Sequence, residues 1–178
     1  MSRTDPNKRK PCSAKRTALL VGEGETEYAF LCHLKRCFVE RESGIFVKVE
    51  PAHGGSPETV IRTARKLLDQ RAYDRCLILM DTDLPWPKAR PHKVDRTRIT
   101  YVAAKPCVEG LLLAILQHKG IVPASSMAAQ CKKVFYDNYI AEKKRTDPKA
   151  YEKHFTRDVL NARRKMCVEL DVILGHME

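Results

Sequence analysis

The chain of 178 residues carries a formal net charge of +11, and 43% of its residues are hydrophobic. That length predicts one domain with a full hydrophobic core, and no apolar run is long enough to span a bilayer. The basic N-terminus, MSRTDPNKRK, lacks the apolar segment of a secretion signal, and the seven cysteines include no C-x-x-C pair. We therefore expect a cytoplasmic protein that makes no membrane contact.

Strand and helix patterns alternate along the first two thirds of the chain. Residues 1–16 are polar and basic, which predicts a flexible tail. Apolar or alternating runs predict strands at 17–21, 45–50, 76–80 and 99–104. Apolar residues at helical spacing predict helices at 25–41, 57–70 and 108–118.

This alternation predicts an α/β domain over residues 17–120, with a mainly parallel sheet of about four strands flanked by helices. We expect the first and third strands to be adjacent. After residue 120 the pattern becomes helical, at 124–144 and again at 148–174. The segment 121–178 is therefore predicted to be a helical extension packed on the core.

Acidic residues follow three of the predicted strands. In parallel α/β sheets the carboxyl ends of the strands gather functional groups at one edge, so we expect these side chains to meet. Carboxylates that share a site repel one another unless a cation joins them, and oxygen ligands suit Mg²⁺ or Mn²⁺. The predicted metal ligands are Glu23, Glu27, Asp81, Asp83 and Glu109.

Each of these signals also has a purely structural interpretation. A D-x-D sequence at a strand end is commonly a turn or a helix cap. Glu25 and Glu27 fall in the first turn of a helix, where the helix dipole favours negative charge. The metal hypothesis depends on the combination of acidic positions, in order and at strand ends.

The positive charge predicts a partner that carries phosphate, because Lys and Arg neutralise backbone phosphates. Aromatic residues make up only 7% of the chain, which favours contacts to the phosphate backbone over stacking on bases. The alternative is that the charge serves solubility alone. The candidate nucleic-acid contacts are Lys132, Lys133, Arg163, Arg164 and Lys165, and Lys105 after the fourth strand is a candidate to hold a scissile phosphate.

Four motifs in order resemble a known family. LLVGEGETEYAFL followed by LILMDTD resembles the signature of Toprim domains. GEGETEYAF, GGSPETVIRTA, DTD and KPCVEGLLLAIL together resemble the RloB-like family, which is related to the OLD-type nucleases. The resemblance covers about residues 17–118. It implies a compact Toprim fold, Mg²⁺- or Mn²⁺-dependent cleavage of DNA or RNA by an endonuclease, and a place in prokaryotic antiviral or restriction-linked systems with a protein partner or as a homo-oligomer.

The resemblance also implies residue roles. Glu23 matches the glutamate after the first strand, and Asp81 and Asp83 match the D-x-D pair, so these three are the expected catalytic residues. Lys105 is a further candidate from its position after the fourth strand and not from the resemblance. Glu27 matches the second acidic position of the E-G-x-T-E motif of the OLD-type nucleases. Glu109 matches the acidic residue of the P-C-x-E motif.

The chain departs from the family pattern at four positions. Gly22 replaces a small apolar residue or cysteine before Glu23. Lys105 replaces asparagine, and Val108 and Gly110 replace aromatic residues. These changes indicate either a divergent subfamily or a weakened second metal position around Glu109.

Two other functions fit parts of the sequence. Haloacid-dehalogenase phosphatases also use a D-x-D, but they place it after the first strand rather than the third. A non-catalytic Toprim-like subunit that docks on a partner and binds nucleic acid is the stronger alternative, since the chain has little room for a separate substrate lobe.

Overall fold

The computed structural model describes residues 16–82, 98–120 and 127–178. Within that part of the chain the strands are β1 Arg16–Gly22, β2 Ile45–Pro51, β3 Arg75–Asp81 and β4 Ile99–Ala104. The α-helices are α1 Glu25–Phe38, α2 Pro57–Gln70, α3 Val108–Ile115, α4 Ala128–Asn138, α5 Arg157–Arg164 and α6 Val168–Gly175, with 3-10 turns at Glu142–Lys144 and Pro148–Tyr151. None of the helices in these ranges is long and apolar enough to cross a membrane. The predicted basic tail lies almost entirely outside the described residues.

The four strands form one sheet in the order β2-β1-β3-β4, and every pairing is parallel. Leu19 of β1 pairs with Cys76 of β3, so the predicted adjacency of the first and third strands is confirmed. The predicted α/β fold with a parallel four-stranded sheet is also confirmed. Because all four strands run the same way, their carboxyl ends lie at one edge of the sheet.

The central strands are buried on both faces, as their continuous apolar runs predict. Leu20 and Leu77 pack on the side that carries α1 and α3, whereas Leu19 and Ile78 pack on the side that carries α2. The buried apolar residues from 140 onwards belong to the same hydrophobic cluster as Leu20 and Leu77. The C-terminal elements therefore pack on the same face of the sheet as α1.

The prediction of a continuous helix at 148–174 is wrong. That segment forms the 148–151 turn, α5 and α6. The Thr156 hydroxyl accepts a hydrogen bond from the Val159 N–H at 3.3 Å, which caps the start of α5 and separates it from the turn before. The rings of Tyr151 and Phe155 are fully buried with centroids 5.9 Å apart, so the chain bends to insert both into the core.

Gly22 ends β1 where the first turn of α1 crosses the strand. A Cβ on Gly22 would lie 2.7 Å from the backbone N of Tyr28 and 2.8 Å from the Cβ of Glu27. These atoms cannot yield without moving α1, so glycine here allows the helix to approach the strand end. The glycine at this position thus has a packing cause.

We expect Gly22→Ala to lower the free energy of unfolding by about 1–3 kcal/mol, the usual cost of overpacking. Urea denaturation measures the loss. Gly175→Ala is the matched control, because its Cβ would meet nothing within 4 Å. Equal losses in the two variants would contradict the close approach of α1 to β1.

Candidate active site

Four carboxylates meet at the carboxyl edge of the sheet. Glu23 follows β1, Asp81 ends β3, and Glu27 and Glu109 lie in the first turns of α1 and α3. All four line one open cleft of about 280 Å³. The fifth predicted ligand, Asp83, lies outside the described residues.

Hydrogen bonds to the backbone tie Glu23 and Asp81 to the neighbouring elements. An Oε2 atom of Glu23 accepts from the Asp81 N–H at 3.0 Å, which links the ends of β1 and β3. Asp81 Oδ1 accepts from the Val108 N–H at 2.8 Å, at the start of α3. One oxygen of Asp81 therefore does cap a helix, as the structural interpretation of the D-x-D expects.

Glu27 is only 6% exposed and reaches back to its own helix start. Its Oε2 accepts from the Gly24 N–H at 2.9 Å. The pKa of Glu27 is raised to about 7, chiefly by burial and to a lesser extent by the charges of Glu109 and Glu23, while hydrogen bonds from the backbone oppose the shift. Glu27 is thus both a capping residue and a member of the acidic cleft.

The pKa of Asp81 is shifted further than that of Glu27. Burial, and after it the charges of Glu27, Glu109 and Glu23, together raise the pKa of Asp81 to about 8, against the opposing hydrogen bond from the Val108 N–H. The repulsion among the four carboxylates means that they do not all ionise readily without a cation. A divalent ion removes that repulsion.

Glu109 is 2% exposed, and its two oxygens differ. Oε1 accepts a hydrogen bond from the Tyr136 hydroxyl of α4. Oε2 is buried and has no hydrogen-bond partner. A buried carboxylate oxygen without a partner is costly, and a cation in the cleft lined by Glu109 would satisfy it.

The donor set fits Mg²⁺ or Mn²⁺ in kind, because every candidate ligand is a carboxylate oxygen. Across residues 16–82, 98–120 and 127–178, however, no three His, Cys, Asp or Glu side chains are already grouped closely enough to hold a metal ion. A bound ion would have to draw these side chains together or take a further ligand from Asp83.

The cleft also has basic residues. Lys132 of α4 and Arg145, which follows the 142–144 turn, line it together with the carboxylates. Lys132 is one of the predicted nucleic-acid contacts, whereas Tyr136 and Arg145 were missed. Tyr136 lies one helical turn after Lys132, but only the packing of α4 on α3 reveals which face of α4 meets the cleft.

Two other predicted residues lie away from the acidic cleft. Lys105 is exposed and lines a different cleft, between β4 and α6, together with Val168 and Val172. Lys133 points outward, with its side chain 76% exposed, and pairs with Asp137 at 2.7 Å. The structure thus does not bring the proposed phosphate ligand Lys105 to the carboxylates.

The basic run 163–165 is also remote from the cleft. Arg164 Nε contacts Asp171 Oδ1 at 2.5 Å, and its guanidinium donates to both carboxylate oxygens of Glu178. These pairs join α5 to the C-terminus, so Arg164 has a structural role that its charge alone does not predict. Arg163 is half-buried and Lys165 is exposed beside it.

Close packing also requires glycine at position 110. A Cβ at Gly110 would lie 2.6 Å from the carbonyl oxygen of Lys105 and 2.8 Å from Pro106 Cδ. Glycine therefore lets α3 begin directly against the turn after β4. The residue before it, Glu109, lines the cleft.

Acidic and basic side chains from both halves of the chain thus line a single cleft at the carboxyl edge of the sheet. Such an arrangement can hold a divalent cation next to an anionic group. No family model matches the chain, and no curated protein or solved structure matches it either.

Proposed function

We propose that the protein is a metal-dependent nuclease that hydrolyses phosphodiester bonds in RNA or DNA. The observation that carries this proposal is the buried Glu109 Oε2, which lacks a hydrogen-bond partner in a cleft lined by four further carboxylates. The net charge of +11 supports a polyanionic substrate. The resemblance of the four motifs to RloB-like Toprim proteins supports the same reaction.

Glu23, Asp81 and Glu109 would hold Mg²⁺ or Mn²⁺, with Glu27 beside them and Asp83 as the further ligand that the resemblance implies. A bound divalent cation supplies Lewis-acid polarisation of a phosphoryl oxygen and lowers the pKa of water. The Tyr136 hydroxyl fixes the orientation of Glu109 by donating to Oε1. The Val108 N–H does the same for Asp81. These contacts hold the acidic side chains in place before a substrate arrives.

By the same resemblance we propose a cytoplasmic protein of a prokaryotic antiviral or restriction-linked system, acting as an endonuclease with a protein partner or as a homo-oligomer. A Toprim-like core over 17–120 carries the site in this proposal. The C-terminal extension contributes Tyr136 through α4.

One observation favours the non-catalytic alternative. Asp81 caps α3 and Glu27 caps α1, so part of the acidic cluster stabilises helix starts. On that basis the chain would be a docking module that binds nucleic acid without cutting it. The haloacid-dehalogenase alternative is weaker, because Asp81 ends the third strand along the chain rather than the first.

Incubation of the purified protein with labelled tRNA, single-stranded RNA and plasmid DNA tests the proposal. We expect cleavage of at least one substrate with Mg²⁺ or Mn²⁺ and none with EDTA. Glu109→Gln, purified in parallel, retains an oxygen for the Tyr136 hydroxyl but loses the charge, so it should not cut. Cleavage that persists in EDTA or in Glu109→Gln would refute a metal-dependent site here. Absence of cleavage by wild type with its partner present would favour the docking module.

A further inference from the structure

The basic side of the cleft consists of Lys132 and Arg145, and both are carried by well-anchored backbone. The carbonyl oxygen of Arg145 accepts a hydrogen bond from the Tyr151 hydroxyl at 2.8 Å, and Tyr151 is fully buried. Lys132 directly follows Cys131, which is fully buried on α4. The two cations therefore project from rigid elements, which favours precise placement of a ligand.

Arg145 lines the same cleft as Glu109. Its guanidinium pairs with Glu142 at 3.1 Å through Nη1, in an exposed i,i+3 contact of the kind that contributes little.

Lys132 and Arg145 also limit what kind of ligand the cleft can take. A divalent cation would offset two of the five carboxylate charges that line the cleft, and Lys132 and Arg145 place two positive charges in the same cleft. A phosphodiester carries one negative charge and offers oxygens to both a lysine and an arginine. Among the described residues that line the cleft there is no aromatic side chain on which a base would stack.

We propose that Lys132 and Arg145 form a clamp for one backbone phosphate of a nucleic acid beside the acidic residues, so that recognition depends on the phosphate and is independent of base sequence. This inference rests on the proposed nuclease function for the identity of the substrate. It assigns to Arg145 and Lys132 the phosphate contact that the sequence assigns to Lys105.

Fluorescence anisotropy with short labelled single-stranded RNA and DNA tests the clamp. Ca²⁺ replaces Mg²⁺ in the assay as another hard cation with oxygen ligands, and a gel confirms that the probe stays intact. We expect Lys132→Gln and Arg145→Gln each to weaken binding about tenfold, as for one lost charged hydrogen bond. Each should also make the fall of the association constant with salt less steep. The slope of its logarithm against the logarithm of the salt concentration should shrink in magnitude by about 0.7, the value for one phosphate on a single strand.

Lys133→Gln and Lys144→Gln are the matched controls, since each removes one positive charge next to a clamp residue and outside the cleft. They should weaken binding by less than about twofold, as expected for an exposed charge. Lys132→Arg retains the charge and should restore most of the affinity, and probes of different base sequence should bind alike. Equal losses in Lys132→Gln and Lys133→Gln, or no loss in either clamp variant, would overturn the clamp.

A thermal shift with Mn²⁺ separates this inference from the proposed function. Lys132→Gln and Arg145→Gln should keep the Mn²⁺ response or increase it, because they remove positive charge next to the cation. If Mn²⁺ does not change the melting temperature of the wild-type protein and no cleavage occurs, the proposed nuclease function is refuted. The binding data then decide the clamp by themselves. A clamp variant that loses the Mn²⁺ response along with binding would overturn the separate phosphate role.

Discussion

Replacing Asp81 is expected to abolish Mg²⁺-dependent cleavage while leaving nucleic-acid affinity equal or higher. Asp81→Asn retains an oxygen that accepts from the Val108 N–H, so the start of α3 stays capped, but it loses the charge that a cation requires. The rate should fall by at least about 10²–10³-fold, the scale of losing one preorganised electrostatic group. Binding should survive because Lys and Arg contacts to phosphate supply it, and one fewer carboxylate repels the polyanion less.

Single-turnover cleavage and anisotropy on the same substrate measure the two effects, with any activating partner present. The same pair of results is expected for Asp83→Ala from the family resemblance. Glu58→Gln removes an exposed carboxylate from the first turn of α2 and is the control for a general change of charge. Wild-type cleavage by Asp81→Asn would make the docking module the better description.

Mg²⁺ or Mn²⁺ is expected to raise the melting temperature of the wild-type protein by about 5–10 °C at roughly a hundredfold excess over Kd. In the metal-free protein the charges of Glu23, Glu27 and Glu109 act on Asp81 across one cleft, and a cation removes that repulsion. Asp81→Asn and Glu109→Gln should each melt higher than wild type without metal and respond little to it. Differential scanning calorimetry with Mg²⁺ or EDTA measures both effects. An equal rise in all three proteins would show that the ions act elsewhere.

The effect of pH on the metal-free protein follows from the same repulsion. The folded-state pKa of Asp81 is raised to about 8, whereas an unfolded aspartate titrates near 4. Between these values the folded state binds more protons, so the contribution of Asp81 to stability falls as the pH rises towards 8. Urea denaturation in EDTA should therefore show Asp81→Asn gaining stability relative to wild type across this range. A stability difference between Asp81→Asn and wild type that does not change with pH would contradict the raised pKa of Asp81.

Much of the fold could be predicted because it is determined by local pattern. The apolar side chains of β1 and β3 can be buried only between two layers of helices, which requires a parallel sheet with crossover helices. Once the strands are parallel, residues that follow them lie at one edge, and so Glu23 and Asp81 could be placed together from the sequence. The end of each strand determines the location of the acidic residues.

The remaining features depend on contacts between distant residues, which no local pattern encodes. Lys132 and Lys133 are equivalent in sequence, and only the packing of α4 on α3 turns the first into the cleft and leaves the second paired with Asp137. Arg164 resembles a phosphate ligand in sequence, but Glu178 reaches it only because α5 and α6 fold together.

The acidic edge of the sheet was thus determined by the sequence itself, through strand polarity and the positions of Glu23, Asp81 and Glu109. Which other residues line the cleft was decided only by the tertiary structure. Tyr136 and Arg145 come from an extension whose helices are short and are positioned by burial of Tyr151 and Phe155 rather than by their own periodicity. Helix rotation and long-range packing, not residue type, determine which lysine and arginine side chains line the cleft with the carboxylates.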